Sequence, residues 1–218
     1  ARVTLLARTT AFGYYDHNHL MALERVTDHL AVPSDRLPRQ RLWSIRAKQV
    51  VLTTGAIERP LVFRDNDRPG IMLAGAAHDY LRRYGVKVGA RALVFTGNDT
   101  AYRAAISLAR EGVEVLSLDL RTETPGALPQ AALKEGVEIW HGYAVASTHG
   151  RMRIEAVDAM ALSEDGLSVS GTPHRKECDV LLMSGGWNPT VHLFSQSQGK
   201  VSYDEMISAF VPGTPAQA

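Results

Sequence analysis

The stretch from Arg91 to Asp119 constrains the fold of this chain more than any other. Ala92–Phe95 is an apolar run of strand type, Thr96–Asp99 a tight polar loop, and Thr100–Glu111 carries apolar residues at helical spacing. Gly112 can close that helix, and Val113–Leu118 is a second apolar run ending on Asp119. A strand, a helix and a second strand in so short a span return the chain parallel to itself by a right-handed crossover, which is one Rossmann-like βαβ unit. Two other segments share a grammar with it. Gln49–Thr53 reads as a fully buried strand ending at Gly55, and Asp179–Ser184 as another ending at Gly185-Gly186-Trp187-Asn188-Pro189. Two apolar strands that run into glycine turns, beside a βαβ unit, favour a pair of nested nucleotide-binding domains.

The remaining segments predict a mixed α/β chain. Val3–Ala7 is an apolar β-type run. Leu20–Ala31 reads as a second strand or a short helix, Pro33–Gln40 as an exposed connection, and Leu42–Ala47 as a further strand, together a β-meander. Ile71–Tyr84 places Met72, Ala76, Tyr80 and Tyr84 on one helical stripe, with Arg82 and Arg83 near its C-terminal end and Gly85 to close it. Pro129–Glu135 predicts a short helix and Val137–Trp140 a strand. Tyr143–Thr148 and Met152–Ala161 flank a His149-Gly150 turn of hairpin kind.

Charge and cysteine content exclude several classes of function. The 24 Lys and Arg nearly balance the 23 Asp and Glu and are interspersed with them, so neither nucleic acid nor an anionic membrane is an expected partner. The single cysteine, Cys178, leaves no intrachain disulfide and no multi-thiolate zinc site, which fits a reducing, cytoplasmic location. No apolar stretch reaches the roughly 18 residues a membrane-spanning helix needs, and the first residues lack the order of a secretory signal. The opening Ala1-Arg-Val-Thr-Leu-Leu has no initiator Met and begins inside a strand-like run, so sequence upstream of it is expected.

Candidate sites follow from the glycine-bearing loops. Thr96-Gly97-Asn98-Asp99-Thr100-Ala101 stands where a G-x-G-x-x-G/A fingerprint would stand, but Thr96 and Asn98 occupy the first two glycine positions and only Ala101 fits the third. Asn98 tolerates a left-handed backbone, yet its side chain projects where phosphate oxygens would approach, so this is a Rossmann unit with a degenerate nucleotide site. Gly97 remains its one glycine. Asp119, at the end of the second strand, is either a ribose-binding acid or a strand-end turn residue. Thr54-Gly55-Ala56 is either a main-chain turn brought against a ligand or a glycine that merely ends a strand. His17 and His19 share a face if Asp16–Leu20 is extended, but no third ligand accompanies them, so no metal site is expected. No G-x-S-x-G elbow is present, and Cys178, one residue before a buried strand, reads as packing. No catalytic residue is assigned.

Four strings carry a resemblance across nearly the whole chain: RTTAFGYYDHN (Arg8–Asn18), TTGAIERPLVF (Thr53–Phe63), NDRPGIMLAGAA (Asn66–Ala77) and SGGWNPTVHLFSQSQGK (Ser184–Lys200). In combination they resemble the alpha subunit of the bacterial heterotetrameric sarcosine oxidases. The resemblance implies an amine oxidoreductase that demethylates sarcosine to glycine, passes the methyl carbon to tetrahydrofolate or releases it as formaldehyde, and yields hydrogen peroxide. It also implies partner beta, gamma and delta subunits. Further implications are a disulfide-reductase-type fold with two dinucleotide-binding domains, NAD in the first of them, an FMN shared with the beta subunit, FAD on the beta subunit, and a folate-binding C-terminal half. Carried over by position, Ala11 after the first strand would meet adenine through its backbone, and Thr54 and Gly55 would face the dinucleotide. Glu58 and Arg59 read as a structural ion pair or an interdomain contact.

The sequence departs from the complete subunit in lacking the first domain's glycine fingerprint and everything after Ala218, so the first domain is expected to be incomplete and the chain inactive alone. The expected organisation is residues 1–84 and 185–218 in the first, NAD-binding domain, with 85–184 an inserted second Rossmann-like domain. Other readings remain open: a related amine or opine oxidase subunit such as that of N-methylglutamate dehydrogenase, or a non-catalytic scaffold domain that has lost nucleotide binding.

Overall fold

A computed structural model describes residues 3–216 and divides the chain into two compact units. Unit 1 takes the residues up to Ile57 and those from Asn188 onward, and unit 2 is the continuous stretch Glu58–Trp187. Unit 1 opens with the expected meander of β1 (Thr9–Tyr15), β2 (His19–Arg25) and β3 (Gln40–Arg46), each antiparallel to the next. The turn between β1 and β2 is made by His17 and Asn18, both at positive φ (56° and 50°). This settles Leu20–Ala31 as a strand to Arg25 followed by a turn. There Thr27, buried, donates from its hydroxyl to the Pro38 carbonyl (3.1 Å) and holds the long β2–β3 connection.

The chain leaves unit 1 through β4 (Ala56–Glu58) and enters unit 2. There β5 (Ile71–Leu73), α1 (Ala74–Tyr84), β6 (Arg91–Thr96), a single 3-10 turn (Asp99–Ala101), α2 (Tyr102–Arg110), β7 (Glu114–Asp119), α3 (Ala127–Lys134) and β8 (Glu138–His141) follow in order. Next come β9 (Tyr143–His149), β10 (Ala156–Leu162), β11 (Val169–Glu177) and β12 (Val180–Ser184). Five strands make a sheet in the order β5-β12-β6-β7-β8, parallel throughout. Its two faces bury different sets of residues, as the two-residue period of a strand requires. Ala92, Val94, Val115, Val180 and Leu182 pack with Ala77, Ala105 and Leu108 of the helices. Leu93, Phe95, Leu118 and Leu181 pack with Val145, Val157 and Ala159 of the antiparallel β9-β10-β11 sheet. A sheet covered on both faces needs unbroken apolar strands, which is why Arg91–Asp119 is so legible.

The chain returns through β13 (Trp187–Pro189), which pairs with β4, and ends in unit 1 with α4 (His192–Gln196) and the hairpin β14 (Val201–Asp204) and β15 (Ala209–Pro212). Among the described residues no helix is long and apolar enough to cross a membrane.

Several sequence expectations are corrected. Val3–Ala7 is not a strand: Val3 and Leu5 are exposed, and pairing begins at Thr9. Gln49–Thr53 is neither buried nor paired; it runs outside every described sheet, with Val51 85% exposed. An apolar β-type run becomes a strand only where another strand offers it a ladder, and unit 1 offers none here. Ala11 lies within β1, opposite Ala22, instead of after it. The expected helix Ile71–Tyr84 is a strand followed by a helix, because Met72 pairs with Leu182 of β12. The helix then buries Ala74 and Ala77, while Tyr80 and Tyr84 of the proposed stripe stand in solvent. Gly85 does close α1, at φ 65° with its N–H on the Leu81 and Tyr80 carbonyls. The connection after His149 is longer than a two-residue turn, and strand β11 went unread. The unit boundary falls after Ile57 and not after Tyr84, since β5 and α1 are built into the sheet and helix layer of unit 2.

Candidate functional site

In an open parallel sheet, ligands bind beyond the carboxyl ends of the strands where the strand order reverses. In unit 2 that point lies between β12 and β6, whose last residues, Ser184 and Thr96, are paired and fully buried. The loop after Thr96 is the degenerate fingerprint, and its polar side chains are turned upon the protein itself. The Thr96 hydroxyl donates to the Ser184 carbonyl (3.1 Å). Asn98 donates from Nδ2 to the Ser184 carbonyl and hydroxyl (both 3.0 Å), while its Oδ1 accepts from the Thr100 N–H (3.1 Å) and hydroxyl (2.5 Å). The Asn98 backbone is extended (φ −146°, ψ 158°), not left-handed, and the residue is the cap of the 3-10 turn. One N-terminal N–H that would face a phosphate, that of Thr100, is thus met by Asn98, whose side chain is pinned to the end of β12.

Gly97, the one glycine of this loop, has its nearest neighbour beyond the missing Cβ in the Leu120 side chain, at 3.5 Å. Asp119 is fully buried. Its Oδ2 accepts from the Tyr102 hydroxyl (2.8 Å) and Arg121 Nη2 (2.8 Å), and its Oδ1 from the Arg121 N–H (2.9 Å) and Nε (3.0 Å). The four acceptor positions of a carboxylate are filled within the chain, so a ribose hydroxyl finds none free. Arg121 also reaches Asp99 (2.7 Å), and its hydrogen bonds to Asp119 push its pKa further up. Burial likewise raises the pKa of the Tyr102 phenol.

The other sequence-derived residues lie in unit 1. Thr54 donates from its hydroxyl to the Thr190 carbonyl (2.8 Å), and the Thr190 N–H donates to the Gly55 carbonyl (3.0 Å). The two glycine-bearing segments are therefore brought side by side. Gly55, at φ 71°, has nothing within 4 Å of where a Cβ would stand, so its backbone is open to close approach. Ala11 is exposed on β1, the edge strand of its sheet. His17 sits in the β1–β2 turn, whereas His19 lies in β2 with Nε2 2.9 Å from the Ser44 hydroxyl, so the extended pairing imagined for them does not form. Among the described residues no three His, Cys, Asp or Glu side chains gather as a metal site. Burial pushes the Cys178 thiol up to about 12, and the residue packs in the core.

A cleft of unit 2 lies outside the sequence expectations. It encloses about 690 Å³ and is lined mainly by Glu58, Gly75, His78, Thr100, Arg103 and Trp187. Glu58, expected in an ion pair or an interdomain contact, instead accepts from the Gly75 N–H (2.8 Å) in the first turn of α1. The Trp187 indole donates to the Thr100 hydroxyl (2.7 Å). These residues come from four separate segments, and no spacing in the sequence announces their meeting.

Comparison with known proteins relates the whole stretch. The chain is 47% identical over 210 residues to the sarcosine oxidase alpha subunit of Corynebacterium sp. strain U-96, a match covering 96% of this chain and 22% of that protein. The chain is a homologue of sarcosine oxidase alpha subunits. The subunits of Corynebacterium sp. strain P-1 and Rhizobium meliloti are 48% and 39% identical, over 96% and 97% of the chain. The chain spans about a fifth of the length of these relatives. No family model matches it. Among solved structures, L-proline dehydrogenase from P. horikoshii is similar at a TM-score of 0.61 and 21% identity, covering 94% of this chain and 32% of that one. Thioredoxin reductase from T. acidophilum follows at 0.58 and 17%, covering 80% and 60%. The fold resembles that of these proteins, in agreement with the disulfide-reductase-type α/β class expected from the sequence.

Proposed function

We propose that this chain is a segment of the NAD-binding region of an alpha subunit that, assembled with beta, gamma and delta subunits, oxidatively demethylates sarcosine in the cytoplasm. The observation that carries this reading is the 47% identity over 210 residues to a sarcosine oxidase alpha subunit, at a level where the four strings noted above fall in one homologous stretch. In this reading unit 1 supplies the rim of the NAD site: Thr54 and Gly55 at an open turn, and the backbone of Ala11 on an edge strand. FMN, FAD and the amine-oxidising centre belong to the rest of the complex.

Unit 2, in the same reading, keeps the architecture of a dinucleotide domain without the use. Asn98 holds the place of the phosphates, and Asp119 serves the Tyr102–Arg121 cluster in place of a ribose. Gly97 is then a remnant of the fingerprint that shapes the loop. This favours a scaffold role for unit 2 inside an enzyme subunit, which combines two readings that the sequence left apart.

The test is a graft. This stretch replaces the homologous fifth of the Corynebacterium alpha subunit, the complex is assembled, and hydrogen peroxide is measured with sarcosine as substrate. Sarcosine-dependent peroxide at a rate within about tenfold of the parent supports the assignment. An assembled complex that is silent with sarcosine would contradict it. The chain alone is expected to give no peroxide.

A further inference from the structure

The cleft of unit 2 sits at the ligand-binding edge of the sheet, yet its chemistry is wrong for a pyrophosphate. Its most enclosed charged group is the Glu58 carboxylate, 8% exposed, in a lining whose small apolar part is Ala74, Gly75, Ala76 and Ala104. A buried carboxylate repels an anion and attracts a cation. Beside it in the lining is an aromatic ring, that of Trp187. The point where Gly75 would carry a Cβ lies 2.6 Å from Glu58 Oε2 and 3.8 Å from Trp187 Cη2, so the acid packs closely on the Gly75 backbone, which only glycine permits, with the edge of the indole beside it. Carboxylate and indole together are the two groups that recognise an ammonium, the first by charge and hydrogen bonding and the second through its negative ring face. The indole is fixed in place by its hydrogen bond to Thr100, which in turn is held by Asn98.

One further charge lines the cleft without a partner. Arg103, exposed on α2, makes no ion pair or side-chain hydrogen bond among the described residues, whereas Asp79, the other exposed charge, has Arg83 at 3.6 Å. His78 is engaged with the Ser107 hydroxyl (3.0 Å). A ligand with an ammonium toward Glu58 and Trp187 therefore meets a free guanidinium for a carboxylate of its own.

We propose that this cleft binds a small zwitterionic amino acid, N-alkylated or not, with the ammonium between Glu58 and Trp187 and the carboxylate toward Arg103. The inference rests on the cleft alone: binding by this chain and turnover by the grafted complex are separate measurements, and either can fail without the other.

The test is a titration of the 15N-labelled chain with sarcosine, followed by NMR at the Gly75 amide and the Trp187 indole N–H. Glycine betaine, methylamine and N-acetylglycine serve as comparison ligands. Both signals are expected to move saturably with sarcosine in the millimolar range, more weakly with methylamine, and not with N-acetylglycine, which has no cation. Glu58→Gln, which keeps an acceptor for Gly75, is expected to weaken binding about tenfold or more. Gly75→Ala, whose methyl group would stand against Glu58 Oε2 and displace the carboxylate in a helix that tolerates alanine, is expected to abolish it. Arg103→Ala is expected to remove the preference for sarcosine over methylamine. No movement of either signal in the folded chain, movement equal with N-acetylglycine, or binding unchanged in both Glu58→Gln and Gly75→Ala would overturn the proposal.

Discussion

Asp119 stands at the strand end where a ribose-binding acid would stand, and its hydrogen bonds are made within the chain. Its carboxylate is fully buried and joined to Tyr102 and Arg121, so truncation strands a phenol and a guanidinium together. Asp119→Ala is expected to lower stability by about 3 kcal/mol, and Tyr102→Phe by about 1 kcal/mol, in urea unfolding followed by circular dichroism. A loss near zero for Asp119→Ala would mean the cluster is not structural. Asp158, on the outer side of unit 2, responds to pH. Burial opposes its ionisation, but hydrogen bonds from His149, Ser147 and Arg175 outweigh that and lower its pKa from 3.8 to about 2. A depressed carboxylate pKa gives stability that is present above the unfolded value and lost as pH falls through the folded one. Stability should therefore decline between about pH 4 and pH 2, and less steeply in Asp158→Asn, when urea midpoints are compared across that range.

At the scale of elements, what was legible and what was not divides on a physical line. Strands β6, β7 and β12 were read nearly to the residue, because a sheet buried on both faces demands continuous apolar runs and glycine marks where they stop. The same pattern misled at Gln49–Thr53, where an apolar run lacks a partner strand in this chain, and at Val3–Ala7. Strand β11 was invisible for the opposite reason: Val169–Glu177 is an almost wholly exposed edge carrying Gly171, Pro173 and several charges, a composition that reads as loop. Ile71–Tyr84 failed because helical spacing cannot show that Met72 is claimed by β12. The unpaired state of Gln49–Thr53 has a direct consequence. Val51→Thr should change the stability of this chain by less than about 0.5 kcal/mol in the same unfolding assay, where a buried strand position would lose several-fold more.

For the whole molecule, the candidate residues were half legible. Thr54 and Gly55 were singled out as the end of a strand that does not form, and the structure sets them against Thr190 in an open turn. The cleft of Glu58, Gly75, Arg103 and Trp187 was beyond reach, since it is assembled by topology from segments up to 129 residues apart in the chain, the span of unit 2. The fingerprint loop lay between these cases: its context was right, its glycines were missing, and the structure supplies the reason in the hydrogen bonds that tie Asn98 to Ser184. That unit 2 has kept a dinucleotide fold while its own side chains close the cofactor loop is tested most directly by calorimetric titration of this chain with NAD. No saturable heat is predicted at micromolar to submillimolar NAD, for the parent and for Asp119→Asn alike. Saturable micromolar binding that is lost in Asp119→Asn would contradict it, and would make Gly97 and Asp119 a working nucleotide site.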